Sequence, residues 1–458
     1  DLGMGTDESI VEQGEHADFR QRVYNTLMKI RKMNGSLPLV ILLSLALAGC
    51  ETGEDYTLPD PPGTLLSSEA LTRDLNPGTE NLEALVTGNT GFALDMMRTV
   101  AAAQGSSDNL VFSPYSISSA MVMVYGGTGS GSLTETEFRE VFGFPEQGSC
   151  HEAFNALDLA LTDTAGSGDL TLRRINSVWV QEEWPVQTTY LDLLMENYGA
   201  GINLVDFMGE PDRYREEINT WIEEVTESRI VDLLGDDSIT TDTRLVLTNA
   251  VYFYADWESP FESTSSYLGS FTLLDGTTVQ ASFMNRLDSY RYAQEEGSWQ
   301  AVEIPYVGGT VAALFVLPAT GTLDSFVAGF DAQTLSGITD ALAEATVDLY
   351  LPSFSCEWGG SIADTLMDMG LTTAFSGEAD LSGIDGEMDL CIFDVAHKGF
   401  IAVGEEGTEA SAATAASSGF YYSYDPYDFI FRATRPFLFL IRELETGTIL
   451  FTGIVRKP

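Results

Sequence analysis

Between Glu405 and Ala416 the chain narrows to small side chains: two acids and a glycine, then Thr408-Glu409-Ala410-Ser411-Ala412-Ala413-Thr414-Ala415-Ala416, just ahead of the aromatic cluster Phe420-Tyr421-Tyr422. Alanine alone would favour helix. Ser411, Thr414, Ser417 and Ser418, however, offer side chains that compete for backbone hydrogen bonds, and no amphipathic stripe runs through the segment. What is uniform is size. A strand of such residues could slide between two others without a bulky group to stop it, a property that matters only if the segment has to move.

The rest of the chain supplies the sheet that such a strand would need. Hydrophobic periodicity is continuous from about Asn81 to the C-terminus with no second linker and no internal repeat. Helical patterns fall at Gly91–Ala103, Ser116–Tyr125, Thr189–Tyr198 and Arg213–Thr226. Strand-like runs fall at Ile175–Gln181, Leu245–Tyr254, Thr310–Leu317, Val347–Leu351, Cys391–Val395 and Phe437–Leu444. Helices crowd the first half and strands the second, which argues for one α+β domain over residues 81–458 built on a large sheet.

Upstream of that domain the chain reads as targeting sequence. Met28-Lys29-Ile30-Arg31-Lys32 is a short basic segment, and Leu37 to Leu47 is an apolar stretch too short to span a bilayer. It runs into Leu47-Ala48-Gly49-Cys50, which resembles the lipobox of bacterial lipoproteins; the resemblance implies cleavage before Cys50 and a lipid on its sulfur. Residues 1–49 are thus expected to be an upstream extension and signal peptide. Residues 50–80, rich in Pro, Gly and acids, are expected to be a flexible acidic tether. A cell-envelope location follows, lipid-anchored to the outer membrane or the cell surface.

Charge narrows the partners. The chain has 22 basic residues against 69 acidic ones, a net charge of -47. Such a surface repels nucleic acid and anionic membranes, and suits a solvated face in a salty habitat. Catalysis finds no support. The three histidines, His16, His151 and His397, stand in no triad context, and no Gly-x-Ser-x-Gly turn is present. No Cys or His cluster has metal-ligand spacing, and no cofactor motif occurs. Cys150, Cys356 and Cys391 are an odd set once Cys50 takes lipid, leaving open whether any disulfide forms.

Six segments in order resemble the serpin family across residues 81–458. They are Asn109-Leu110-Val111-Phe112-Ser113-Pro114-Tyr115-Ser116-Ile117; Asn219 to Leu234; Thr248 to Phe253 with Trp257-Glu258-Ser259-Pro260-Phe261; Asp394-Val395-Ala396-His397-Lys398; the small-residue run itself; and Arg435 to Gly447 with Phe451-Thr452-Gly453. The resemblance implies the serpin fold: a large central β-sheet, additional sheets, about nine helices and an exposed reactive loop. It also implies a suicide substrate for serine endopeptidases. A protease cleaves the loop, the loop's hinge enters the central sheet as a new strand, and the acylated enzyme is dragged across the molecule.

Residue roles follow from the same resemblance. The hinge is Glu405, Glu406, Gly407, Thr408, Glu409, Ala410, Ser411, Ala412 and Ala413. The shutter beneath the parting strands is Ser116, Asn249 and His397, with His397 bonded to Asn249, and Trp257 marks the breach where the hinge first enters. Alternation sets Thr408, Ala410, Ala412 and Thr414 inward and Glu409 outward, so no charge need be buried. Counting from Gly407 puts the scissile bond between Tyr421 and Tyr422, with Phe420 and Tyr424 as alternatives; counting back from Pro436 puts it near Asp425. Aromatic residues there suit chymotrypsin-like or subtilisin-like targets. No Lys or Arg lies between Lys398 and Arg432, which disfavours trypsin-like ones, and none lies in Glu146–Gly168, which disfavours activation by heparin. A monomer is expected. The alternative is a non-inhibitory serpin acting as a cell-surface binding or structural protein.

Overall fold

The computed structural model describes residues 59–105, 108–165, 170–408 and 427–458. Its strands are β1 (Thr64–Leu66), β2 (Leu110–Phe112), β3 (Leu170–Gln181), β4 (Ile202–Val205), β5 (Leu245–Asp256), β6 (Tyr267–Thr272), β7 (Thr278–Glu295), β8 (Trp299–Pro305), β9 (Val311–Pro318), β10 (Ala343–Pro352), β11 (Phe354–Ser361), β12 (Asp394–Val403), β13 (Gly407–Thr408), β14 (Phe429–Arg432), β15 (Phe437–Glu443) and β16 (Ile449–Val455). The helices that frame the site are α1 (Leu82–Gln104), α2 (Pro114–Tyr125), α3 (Leu133–Phe142), α4 (Gln147–Ala165), α5 (Thr188–Tyr198) and α6 (Pro211–Val225). Among the described residues the strands form a seven-stranded sheet, ordered β1-β4-β3-β5-β13-β12-β11, and a nine-stranded sheet running from β14 to β2 with β6 at its side.

The seven-stranded sheet is covered on both faces, and β5 shows why. Leu245, Leu247, Val251, Phe253 and Ala255 enter the main core, while Val246 and Ala250 enter a second, smaller core under α6. That alternation is the period-two pattern of a strand buried on two sides. Helix α6 meets it with Tyr214, Ile218, Trp221 and Ile222, spaced by three and four residues along one face. On the other face α2 starts at Pro114, capped by the Ser113 hydroxyl, which accepts from the Ser116 N–H at 3.1 Å, and all of its residues are buried.

The outermost strand differs from expectation. Residues 59–80, anticipated as part of a flexible tether, are packed on the domain. Thr64–Leu66 pairs antiparallel with Leu204–Ile202 of β4. The Trp221 indole donates to the Pro59 carbonyl at 2.9 Å, Ser68 donates to Asp192 at 2.6 Å, and Arg73 holds Asp158 at 2.7 Å and Asn155 at 2.9 Å. A three-residue strand is too short to show a period, and its apolar pair Leu65-Leu66 is flanked by the Pro and Gly that read as linker. Residues 59–80 therefore pack on the domain expected to begin at residue 81, and residues 1–58, Cys50 among them, lie outside the described residues.

Two further segments shift. The run Cys391–Val395 becomes a strand only from Asp394, its first residues leading into β12. The acidic stretch 146–168 contains helix α4. Cys150, Cys356 and Cys391 are all free thiols.

Candidate functional site: a sheet seam and its hinge

Strands β5 and β12 run parallel and pair directly from Val246/Asp394 to residues 252 and 400. At their C-terminal ends β13 lies between them, antiparallel to both, with Gly407 opposite Asp256, and Thr408 opposite Ala255 and Val403. The seam is thus closed along most of its length and wedged open at one end by two residues of the small-residue run. Gly407 is required there: a Cβ would lie 2.1 Å from the Ala255 carbonyl oxygen. Thr408 is fully buried and shares a 2.6 Å hydrogen bond with the Tyr306 hydroxyl.

The residues that hold this wedge come from distant chain segments. Trp257 is fully buried, stacks on Tyr306 with ring centroids 4.5 Å apart, and donates its indole N–H to the Gly404 carbonyl at 2.9 Å. The Trp257 and Phe261 amides donate to the Glu406 and Glu405 carbonyls, each at 2.8 Å, and Ser266 donates to the Glu405 carboxylate at 2.8 Å. Burial pushes the Tyr306 phenol upward, so it stays a neutral partner. Of the nine residues expected to form the hinge, Glu405 to Thr408 are placed by these contacts. Glu409 to Ala413 and the scissile-bond candidates Phe420, Tyr421, Tyr422 and Tyr424 lie outside the described residues.

Midway down the seam Ser116, Asn249 and His397 form one buried network. The Asn249 amide donates to the Ser116 carbonyl at 2.8 Å and hydroxyl at 2.6 Å. The His397 Nε2 accepts the Ser113 backbone N–H at 3.3 Å. That leaves the proton on Nδ1, which donates to the Asn249 carbonyl oxygen at 2.5 Å. Burial alone lowers the His397 pKa to about 3, so the ring is neutral. Asn176 of β3 completes the chain, bonding both Asn249 and Ser119. Helix α2 and strands β3, β5 and β12 are therefore pinned together by side chains that lose partners if the strands separate.

On the opposite face β12 is tied to the segment after α6 and to β11. The Lys398 ammonium of β12 donates to the Val231 carbonyl at 2.8 Å and pairs with Glu357 at 2.6 Å. Val231 belongs to the segment after α6, which Asn219 ties back through two 2.8 Å bonds to Leu234. Tyr306 and Asn176 carry no local signature that marks them for this site, and Ser113 and Lys398 lie within two of the resembling segments without a role assigned to them there. Their roles follow from pairing across the sheet. Among the described residues no group of three or more His, Cys, Asp or Glu side chains is placed to hold a metal ion.

A two-sided sheet with a short hinge strand entering between parallel neighbours is the architecture of a serine protease inhibitor fold. Residues 87–458 match the family described as Serpin (serine protease inhibitor), and the chain belongs to that family. It is 34% identical over 438 residues to an uncharacterized serpin-like protein of Thermococcus kodakarensis, covering 93% of this chain and 99% of that one. It is 31% identical over 398 residues to serpin B3 of Homo sapiens, covering 82% of this chain and all of that protein. Human thyroxine-binding globulin complexed with thyroxine superposes with a TM-score of 0.73 at 29% identity, over 82% of this chain and 99% of that one. Uncleaved ovalbumin shares the fold, with a TM-score of 0.72 at 24% identity, over 82% of this chain and all of that one. The family acts by inhibiting proteases and not as enzymes.

Proposed function

We propose that this serpin is an inhibitory member, a suicide substrate whose loop is cleaved between Tyr421 and Tyr422 by a chymotrypsin-like or subtilisin-like protease. The observation that carries the reading is β13: Gly407 and Thr408 already pair with β5, and Thr408 with β12 as well. Below Thr408 the run presents only Ala and Thr on the face that Thr408 buries, so continued insertion buries no charge. Each inserted residue exchanges the single β5–β12 ladder for two new ladders, while β5 and β12 part to about twice the 4.7–4.9 Å strand spacing. Downhill insertion is the work that distorts an acylated enzyme.

In this reading residues 1–49 are removed and Cys50 carries the lipid that holds the inhibitor on a bacterial cell envelope. The test is incubation with chymotrypsin and with subtilisin. A complex surviving SDS, with the cut mapped after Tyr421 by mass spectrometry, is the expected result. A cleaved loop with no trapped enzyme would overturn it. The similarity to a globulin solved with thyroxine supports a second reading, a binding serpin; that same negative result would favour it.

A further inference from the structure

At the far end of the seam from the hinge, Trp184, Asp242, Arg244, Asp389, Cys391 and Phe393 line a cavity of about 310 Å³. Its walls come from both sides of the seam. Arg244 leads into β5 and lies 5.9 Å over the Trp184 ring, while Cys391 and Phe393 lead into β12. Phe393 is 38% exposed, an apolar ring left partly uncovered, and the Cys391 thiol is half-buried. The last backbone bond closing the seam, from the Phe393 N–H to the Leu245 carbonyl at 3.0 Å, lies beside it.

The register of β13 says what reaches this place. Antiparallel strands advance one residue against one, so the pairs Thr408–Ala255 and Thr408–Val403 carry the register down the seam as far as β5 and β12 run, to Leu245 and Asp394. Ser418 reaches that end, beside Leu245 and Phe393, and Phe420 and Tyr421 follow it past the strands, level with the loop residues 242–243 and 390–391. Thirteen residues separate Thr408 from Tyr421, and thirteen separate Ala255 from Asp242. A chain cut after Tyr421 therefore ends at the cavity. Phe420, an even number of residues from Thr408, falls on the face of an extended strand that Thr408 buries, the face of the main core against which Cys391 and Trp184 pack.

We propose that this cavity is the receptor for the Phe420 ring of the inserted loop, a site that anchors the end of the new strand at the pole where the captured protease arrives. The proposal rests on the inhibitory reading. Phe393 and Trp184 supply the apolar and aromatic walls that a phenyl ring prefers. Seating it buries the exposed part of Phe393 and covers the Cys391 sulfur.

The test uses the full chain cleaved by subtilisin, with cleavage C-terminal to Phe420 confirmed by mass spectrometry. Two quantities are read: the thermal midpoint, which rises when the loop inserts, and the rate at which iodoacetamide alkylates Cys391, quantified on its peptide. Cleavage is expected to raise the midpoint and slow Cys391 alkylation by about tenfold or more, and in Phe420→Gly to raise the midpoint while leaving alkylation within about threefold of the uncleaved rate. Trp184→Ala should likewise weaken the protection. A raised midpoint with Cys391 equally reactive in cleaved wild type and uncleaved protein overturns the docking alone, as does equal protection in cleaved Phe420→Gly. No rise in midpoint overturns the inhibitory reading, and the docking with it.

Discussion

Protonating His397 would set a second ring N–H against the Ser113 amide that Nε2 now accepts. The folded pKa of about 3 lies below the ordinary 6.5, so the unfolded chain takes up the proton first. Stability conferred by the neutral ring is complete above pH 6.5 and is lost as pH falls toward 3, by up to about 1.4 kcal/mol per unit. His151, lowered to about 4 by burial, adds a slope of the same sign. Replacing His397 by Gln should flatten the fall in unfolding free energy measured between about pH 7 and about pH 4, while the His151 contribution persists in both proteins. An unchanged slope would show that His397 is not held neutral. At the hinge, Thr408→Arg places a charge where Tyr306 and the sheet leave it no partner, costing several kcal/mol on burial. The variant should be cleaved as an ordinary substrate, raising by about tenfold the moles of inhibitor consumed per mole of protease silenced, while Thr408→Ser should behave as wild type.

Among elements, those with a strong period are the ones the sequence discloses. Helix α6 shows its face at Tyr214, Ile218, Trp221 and Ile222, and β5 and β15 read as strands within one or two residues of their observed ends. Strand β1 was hidden because three residues carry no period, and because its partner β4 lies far along the chain. The 18-residue β7 was hidden for the opposite reason: long, with buried, half-buried and exposed positions intermixed, it combines polar and apolar residues without a clean alternation. Ser116, Asn249, His397 and Trp257 could be named from resemblance, whereas Asn176 and Tyr306 enter only through side chains meeting across strands. The β1 segment is also where an element-level test lies. Trp221→Phe removes the 2.9 Å bond to Pro59 while keeping an aromatic ring against Trp179. A loss of about 0.5–1.5 kcal/mol in chemical denaturation is expected. No loss would mean that this end of the segment is not held by α6.

The whole molecule carries a net charge of -47, with an acidic surface that repels itself in the compact state. Raising sodium chloride from about 0.05 M to about 1 M shortens the Debye length from above 10 Å to about 3 Å, and should raise the thermal midpoint steadily. A flat response would place the acids far enough apart to be indifferent to one another. Mutual repulsion also keeps separate copies apart, but that protection fades in the salt that stabilises each molecule. Strand β1 then acquires a second meaning. By occupying the outer side of β4 it satisfies backbone groups that would otherwise be a template for another copy's strand. A protein lacking residues 59–66 should remain monomeric in dilute buffer and form concentration-dependent oligomers in high salt, as light scattering would show. On that outcome residues 59–66 would double as a guard against self-association at high salt.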